Sequence, residues 1–205
     1  MKRLARSISG LILVSSAACA LAGGGPLGID SEVGSNATGI WSRGHQRFVE
    51  DATVAAVLAG ALWEGADTRF GRTLWQSVDA VALGQLGYAI ANRAAGRLRP
   101  SQTTDPDEWR KGGHSFPSGD VTIIASAVTP LVLEYAGDQP LVYALELLPA
   151  YDAVGRVKSH AHWQSDVLAG WALGTAAGYY AHSRALPITV MVLPHQLTVG
   201  LRTRF

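Results

Sequence analysis

Residues 112–135 read GGHSFPSGDVTIIASAVTPLVLEY, a polar loop that opens into an almost wholly apolar segment. The apolar part, Gly119–Tyr135, is long enough for a helix, and it is apolar on every side. This pattern predicts a helix buried within a bundle, with a kink at Pro130. Ser118 precedes it as a good N-cap residue, and the free N–H groups of such a helix start can bind an anion.

Four further segments have apolar residues at helical spacing, namely 47–66, 72–97, 140–151 and 164–183. After Pro187 the apolar residues alternate with polar ones, which predicts a β-hairpin. The chain is therefore predicted to be all-α, a helical bundle of about five to six helices with a C-terminal β-hairpin. Because each segment carries a charged or amide side chain that is costly in lipid, a soluble bundle and a bundle with some membrane helices both remain open.

The N-terminus predicts export. Residues 1–22 combine basic residues, an apolar stretch and the small-x-small site Ala20-Leu21-Ala22, as in a cleaved signal peptide; a retained anchor or a lipoprotein at Cys19 are the alternatives. Residues 23–40 are interpreted as a flexible leader, and 41–205 as one domain. Cleavage would remove the only cysteine and leave 14 basic against 16 acidic residues, a balance that excludes a nucleic-acid surface.

Three polar clusters lie beside the helices, at 92–100, 112–120 and 155–166. The first holds three arginines at a helix end, where they either complement the helix dipole or bind phosphate oxygens. In the third, Asp166 follows His162 by four residues. On a helix these positions share a face, so Asp166 is expected to accept a hydrogen bond from His162 and leave the other ring nitrogen free as a nucleophile.

Together the clusters resemble the motifs of the type 2 phosphatidic acid phosphatase superfamily, which also contains bacterial acid phosphatases and vanadium haloperoxidases. The motifs Lys-x6-Arg-Pro, Pro-Ser-Gly-His and Ser-Arg-x5-His-x3-Asp have counterparts here in the same order and spacing. The matching residues are Arg99, Pro100, Ser118, Gly119, Arg156, His162 and Asp166. Three positions depart from the motifs: Asn92 replaces Lys, Asp120 replaces His, and Gly155 replaces Ser.

The resemblance implies a role for each matching residue. His162 would attack phosphorus to form a phosphohistidine, and Asp166 would orient its ring. The phosphate oxygens would be held by a set of side chains and one backbone N–H group: Asn92, Arg99, Ser118, Gly119 and Arg156. Asp120 stands where the family has its proton donor, and burial beside phosphate is expected to raise its pKa; His114 and His160 are nearby substitutes.

The activity implied by the resemblance is that of a phosphoric monoester hydrolase that needs no metal and no cofactor. Export and apolar helices suit a lipid phosphate or an isoprenoid diphosphate, reached at the membrane surface, as the substrate. The enzyme would act in the periplasm or at the cell-envelope membrane, facing away from the cytoplasm. Two alternatives remain open: a catalytically impaired relative that binds phospholipid, and a vanadate-dependent haloperoxidase.

Overall fold

The computed structural model describes residues 23–184, together with the backbone of residues 188–193 and 196–201. Within this part of the chain there are five α-helices, and the predicted helical bundle is confirmed. They are α1 (Arg43–Glu64), α2 (Arg69–Ala95), α3 (Gly119–Tyr135), α4 (Leu147–Lys158) and α5 (Gln164–Ser183). Residues 1–22, the predicted signal peptide, lie outside the described residues.

Helix α3 forms the centre of the bundle, as its composition predicts. Its buried residues occupy every face of the helix and run from Val121 to Val132. Pro130 lies inside α3, which is assigned as one helix from end to end. The polar loop 112–118 leads into its first turn, where Gly119 and Asp120 are half-buried.

Helix α5 packs on α3 through three glycines spaced four residues apart. A Cβ atom at Gly170 would lie 2.4 Å from the Ser118 carbonyl oxygen, and one at Gly174 would lie 2.6 Å from the Thr122 carbonyl oxygen. A Cβ at Gly178 would meet a side chain of α3 at 2.5 Å. The two helices therefore approach through their backbones, and their N-terminal ends meet.

Helix α4 differs from its predicted range of 140–151. Residues Pro140–Glu146 form a 3-10 helix, and α4 runs from Leu147 to Lys158. Pro149 explains the start, since proline is tolerated in the first turn of a helix, where an N–H group has no partner in any case. The later end places Arg156 in the last turn of α4 rather than in a loop.

Residues 23–40 carry contacts that their composition did not predict. Asp30 forms a β-bridge with Gly24, and its side chain is buried. Asn36 donates its backbone N–H to the Lys158 carbonyl oxygen at 2.9 Å. This segment therefore lies against the loops that follow α2 and α4.

Beyond the bundle, β1 (Ile188–Leu193) and β2 (Gln196–Leu201) pair antiparallel, with Ile188 opposite Leu201. Residues 194–195 between them, and the side chains of both strands, are outside the described residues, so a hairpin covering one flank of the bundle stays a prediction. None of the helices that the structure describes combines the length and apolarity needed to cross a membrane.

Candidate active site

His162 lies in the turn between α4 and α5, and only 3% of its surface is exposed. Its Nδ1 is 2.6 Å from the backbone carbonyl oxygen of Ser115. A carbonyl oxygen only accepts hydrogen bonds, so Nδ1 carries the proton and Nε2 keeps its lone pair in the neutral ring. The turn thus presents a histidine in the tautomer that a nucleophile requires.

The predicted hydrogen bond between His162 and Asp166 is not made. The nearest carboxylate oxygen of Asp166 is 3.8 Å from His162 Nδ1. The reason is that α5 begins at Gln164, so His162 precedes the helix and the two residues do not share a helical face. The Ser115 carbonyl takes the place that the prediction gave to Asp166.

Asp166 is instead held by the residues around it. It accepts hydrogen bonds from Arg97 Nη1 at 2.6 Å, from the Trp163 backbone N–H at 2.9 Å and from the Ser115 hydroxyl. Burial raises the pKa of Asp166, but the nearby His162 ring together with Ser115, Arg97 and Trp163 lowers it by more, so the net shift is downward. A fixed negative charge therefore lies behind the ring of His162.

Arg97 joins Asp166 to Asp30 in a group that we call the buried cluster. Its guanidinium is 2.6 Å from each carboxylate, and all three side chains are fully buried. It also donates to the Ser165 hydroxyl at 2.8 Å. Sequence reasoning counted Arg97 among possible phosphate ligands; the structure makes it an internal counter-ion.

The first turn of α3 leaves polar atoms unused. Ser118 is the residue before α3, yet its buried hydroxyl finds no hydrogen-bond partner among residues 23–184. The Gly119 N–H belongs to the first turn, where helix N–H groups lack intrahelical acceptors. A Cβ at Gly119 would lie 3.0 Å from the Tyr88 ring, so packing against Tyr88 requires glycine here.

Two arginines lie near these groups. Arg156 is 5% exposed, and its Nε is without a partner in the described part of the chain. Arg99 is half-buried, and Nη2 donates weakly to the His114 carbonyl oxygen at 3.4 Å. Burial lowers the pKa of His162, and the charges of Arg156 and Arg99 act in the same direction, against Asp166. Both cations therefore act on the same ring.

Asp120 pairs with two arginines rather than standing alone. Its Oδ2 is 2.6 Å from Arg43 Nη1 and 3.3 Å from Arg156 Nη1. Burial raises the pKa of Asp120, but Arg156 and Arg43 lower it by more, so the carboxylate stays ionised. The pKa of Asp120 is therefore lowered rather than raised as expected, because Arg156 lowers it most and Arg43 adds to this from α1, outside the motifs.

Two further carboxyl groups complete what we call the rim cluster: Arg43, Glu50, Asp120, Asp152 and Arg156. Burial and the charge of Asp120 raise the pKa of Glu50 to about 7. The same two causes raise the pKa of Asp152 to about 7. Asp152 is fully buried, and neither of its oxygens meets a hydrogen-bond partner within residues 23–184. These two groups, which no motif signalled, can exchange protons near neutral pH.

Asn92 is not directed at a phosphate. Its Nδ2 donates to the Phe116 carbonyl oxygen at 3.0 Å, and its Oδ1 is 2.9 Å from His114 Nδ1. Asn92 therefore holds the loop before α3. His160 is also engaged, since its Nε2 lies 2.6 Å from the Val33 carbonyl oxygen.

Gly155 has a packing reason to replace the family's serine. A Cβ there would lie 2.8 Å from the side-chain nitrogen of Gln46. Gln46 is fully buried; it donates to the Trp41 carbonyl oxygen at 2.7 Å and accepts weakly from Arg156 Nη1 at 3.4 Å. In this chain the first turn of α1 therefore supports Arg156.

Residues 73–186, more than half of the chain, match the sequence profile of the PAP2 superfamily. The chain belongs to the PAP2 superfamily. The resemblance inferred from the three motifs is confirmed. Asp30, Arg43 and Glu50 precede the matched PAP2 region, so the buried and rim clusters each combine family positions with residues from outside it.

Two PAP2-related comparisons extend this result. Lipid A 1-phosphatase of Porphyromonas gingivalis is 27% identical over 124 residues, which are 59% of this chain and 26% of that protein. The chain thus spans about a quarter of the length of that relative. The crystal structure of Aquifex aeolicus LpxE matches with a TM-score of 0.50 at 20% identity, over 66% of this chain and 82% of that chain, and it supports the fold.

Proposed function

We propose that this PAP2 protein hydrolyses the phosphate ester of a lipid through a phosphohistidine at His162. The observation that carries the proposal is the hydrogen bond from Nδ1–H to the Ser115 carbonyl, which leaves the Nε2 lone pair free. Burial lowers the pKa of His162, so the ring stays neutral and nucleophilic near neutral pH. Asp166 would stabilise the positive charge that develops on the ring during attack.

The unpartnered polar groups around His162 suit the oxygens of a phosphoryl group. The Ser118 hydroxyl and the Gly119 N–H would donate from the start of α3, and Arg156 and Arg99 would supply positive charge. Such preorganised donors are worth most where the transition state gathers negative charge. Asn92 would contribute by fixing the loop rather than by touching phosphate.

The reaction would proceed by two in-line displacements. Nε2 of His162 forms a bond to phosphorus while the bond to the ester oxygen breaks, and the leaving alkoxide takes up a proton. Water then attacks the phosphohistidine and gives one proton to the carboxylate that had protonated the alkoxide, which releases inorganic phosphate and restores both the acid and the neutral ring. With Asp120 ionised, we assign the proton to Glu50, whose pKa of about 7 and place beside Asp120 support this role.

Leaving-group dependence tests this assignment. Glu50→Gln should slow alkyl phosphate hydrolysis by ~10²-fold, while nitrophenyl phosphate, whose leaving group needs little protonation, should lose far less. Asp120→Asn serves as the comparison and should slow both esters alike, since it alters the placement of Arg156. If Glu50→Gln affects both esters equally, the proton comes from another group, and His114 is the next to vary.

Similarity to lipid A 1-phosphatase supports a lipid phosphate as the substrate. The test is release of inorganic phosphate from phosphatidic acid in detergent micelles and from nitrophenyl phosphate. His162→Gln should abolish both while the helical circular-dichroism signal is kept. Labelled substrate should leave an acid-labile, base-stable phosphoenzyme in wild type; a variant that retains a tenth of the activity would exclude His162 as the nucleophile.

A second function, phospholipid binding without turnover, is favoured by one observation. Arg156 already forms an ion pair with Asp120, so a bound phosphate must compete with this internal carboxylate for the arginine. A pure binder would bind phosphatidic acid micelles in a sedimentation assay, yet release no phosphate and form no phosphoenzyme. The same two assays therefore separate the functions.

We also propose that the protein is exported and works at a membrane surface outside the cytoplasm, after loss of residues 1–22. Mass spectrometry of the protein recovered from the cell envelope should then show a chain that begins at Gly23. Recovery of the intact Met1 chain in the cytoplasm would contradict this. Sedimentation with phospholipid vesicles tests the membrane association separately.

A further inference from the structure

An apolar groove of about 500 Å³ runs along α1, a volume within the usual range of ligand sites. Small α1 residues, among them Ala52 and Ala56, form one wall, and Val128 of α3 and Leu148 of α4 lie opposite. Of the twelve described residues that line it, only Thr53 has a polar side chain, and its hydroxyl already donates to the Val49 carbonyl oxygen at 2.7 Å. The groove offers apolar contacts and no free side-chain donor.

The groove and the rim cluster both draw residues from α1, α3 and α4. Val49 and Thr53 flank Glu50 on α1. On α3, Val128 is eight residues beyond Asp120, and on α4, Leu148 is eight residues before Arg156. Eight residues of helix span ~12 Å and rotate about 80° beyond two full turns, so each groove residue lies farther along its helix on a neighbouring face. A ligand with its charged head at Arg156 and a chain that runs along these helices away from the rim cluster would reach the groove.

We propose that this groove binds the hydrocarbon chain of the substrate while its phosphate lies at His162. The inference rests on the proposed function and adds the part of the molecule that selects the substrate. Its α1 wall precedes the residues that match the superfamily, so the chain site would be a property of this protein. Free phosphate monoesters without a chain would reach His162 but make no contact in the groove.

The test measures binding rather than turnover. Calorimetry with hexyl, octyl and decyl phosphonate, which cannot be hydrolysed, should show affinity rising by up to about fourfold for each added methylene, equivalent to ~0.8 kcal/mol. Ala56→Phe and Ala52→Phe, each at an exposed position that needs no core rearrangement, should fill the groove. Either should weaken decyl phosphonate at least tenfold relative to hexyl phosphonate.

Two matched alanine-to-phenylalanine controls locate the effect. Ala59→Phe changes an exposed α1 residue that does not line the groove, and it should bind like wild type. Ala94→Phe fills a second apolar pocket, beside Trp109 and Phe116, and should also leave the chain-length dependence intact. Circular dichroism and thermal melting confirm that each variant is folded.

Several outcomes would overturn the proposal. Equal affinity for all three chain lengths in wild type would remove the groove from the site. Loss of chain-length dependence in Ala94→Phe alone would place the chain at Trp109. A change of oligomeric state in Ala56→Phe, seen by light scattering without any change in phosphonate affinity, would assign the groove to a second copy. Because nitrophenyl phosphate turnover is scored separately, failure of the groove and failure of the proposed function are distinguishable.

Discussion

Two arginine–carboxylate clusters flank His162, and they differ in how completely their polar atoms are paired. In the buried cluster, Arg97 lies 2.6 Å from both Asp30 and Asp166, and nothing is exposed. In the rim cluster, the side chain of Arg43 is 39% exposed, and Arg156 Nε and both Asp152 oxygens have no hydrogen-bond partner among the described residues. Its carboxyl groups Glu50 and Asp152 have pKa values of about 7. Complete pairing fixes a geometry, whereas unpaired atoms and displaced pKa values are typical of groups that meet a ligand.

The largest effect is expected from Arg97→Met. It leaves two buried carboxylates without their counter-ion, which should lower the free energy of unfolding by about 3–5 kcal/mol in urea titrations. Arg93→Met is the control, because Arg93 lies exposed in the last turn of α2, four residues before Arg97, and should contribute under about 1 kcal/mol. Equal losses in both variants would show that the buried cluster does not stabilise the fold.

Arg156→Ala should act on ligand binding. Vanadate mimics the pentavalent transition state, so it should inhibit competitively, and the variant should bind it more weakly by about 1.5–3 kcal/mol, the value of a charge-assisted hydrogen bond. The inhibition constant from initial rates is the measurement. An unchanged constant would remove Arg156 from the phosphate site.

Asp152→Asn should change how stability depends on pH. The pKa of Asp152 is raised from 3.8 to about 7 on folding, so wild-type stability falls as the pH rises between these values. From about pH 5 to about pH 6 the wild type should lose ~1 kcal/mol more than the variant. Urea midpoints at the two pH values measure this; parallel changes would mean that Asp152 ionises as readily in the folded protein as in the unfolded chain.

The smallest effect on stability is expected from Arg43→Gln. Its ion pair with Asp120 is partly exposed, and such pairs contribute under about 1 kcal/mol. Loss of this cation should let the pKa of Asp120 rise, which proton NMR titration of the carboxyl group can follow. A destabilisation as large as that of Arg97→Met would erase the distinction between the two clusters.

The helices could be predicted from the sequence, and the clusters could not. The bounds of α3 and α5 follow from local patterns, and so does the family, because its motifs are short and each keeps a fixed internal spacing. The ion pair of Asp30 with Arg97 joins residues 67 positions apart, and Arg43 reaches Asp120 across 77. No local pattern contains such pairs. The error at His162 and Asp166 had another cause: the interval of four residues was interpreted as helical although the helix begins between them.

The glycines of α5 have a mechanical consequence for the site. At Gly170 and Gly174 the glycines of α5 lie directly against backbone carbonyl oxygens of α3, so there is no room between the two helices for a side chain at these positions. A methyl group added at Gly174 would push α5 away from α3 at that position. The 2.9 Å hydrogen bond from the Ser118 N–H to the Asp166 carbonyl oxygen would hold the N-terminal ends of α3 and α5 together. The C-terminal end of α5, near Ser183, would therefore move farthest from α3, and the residues around His162 would move least.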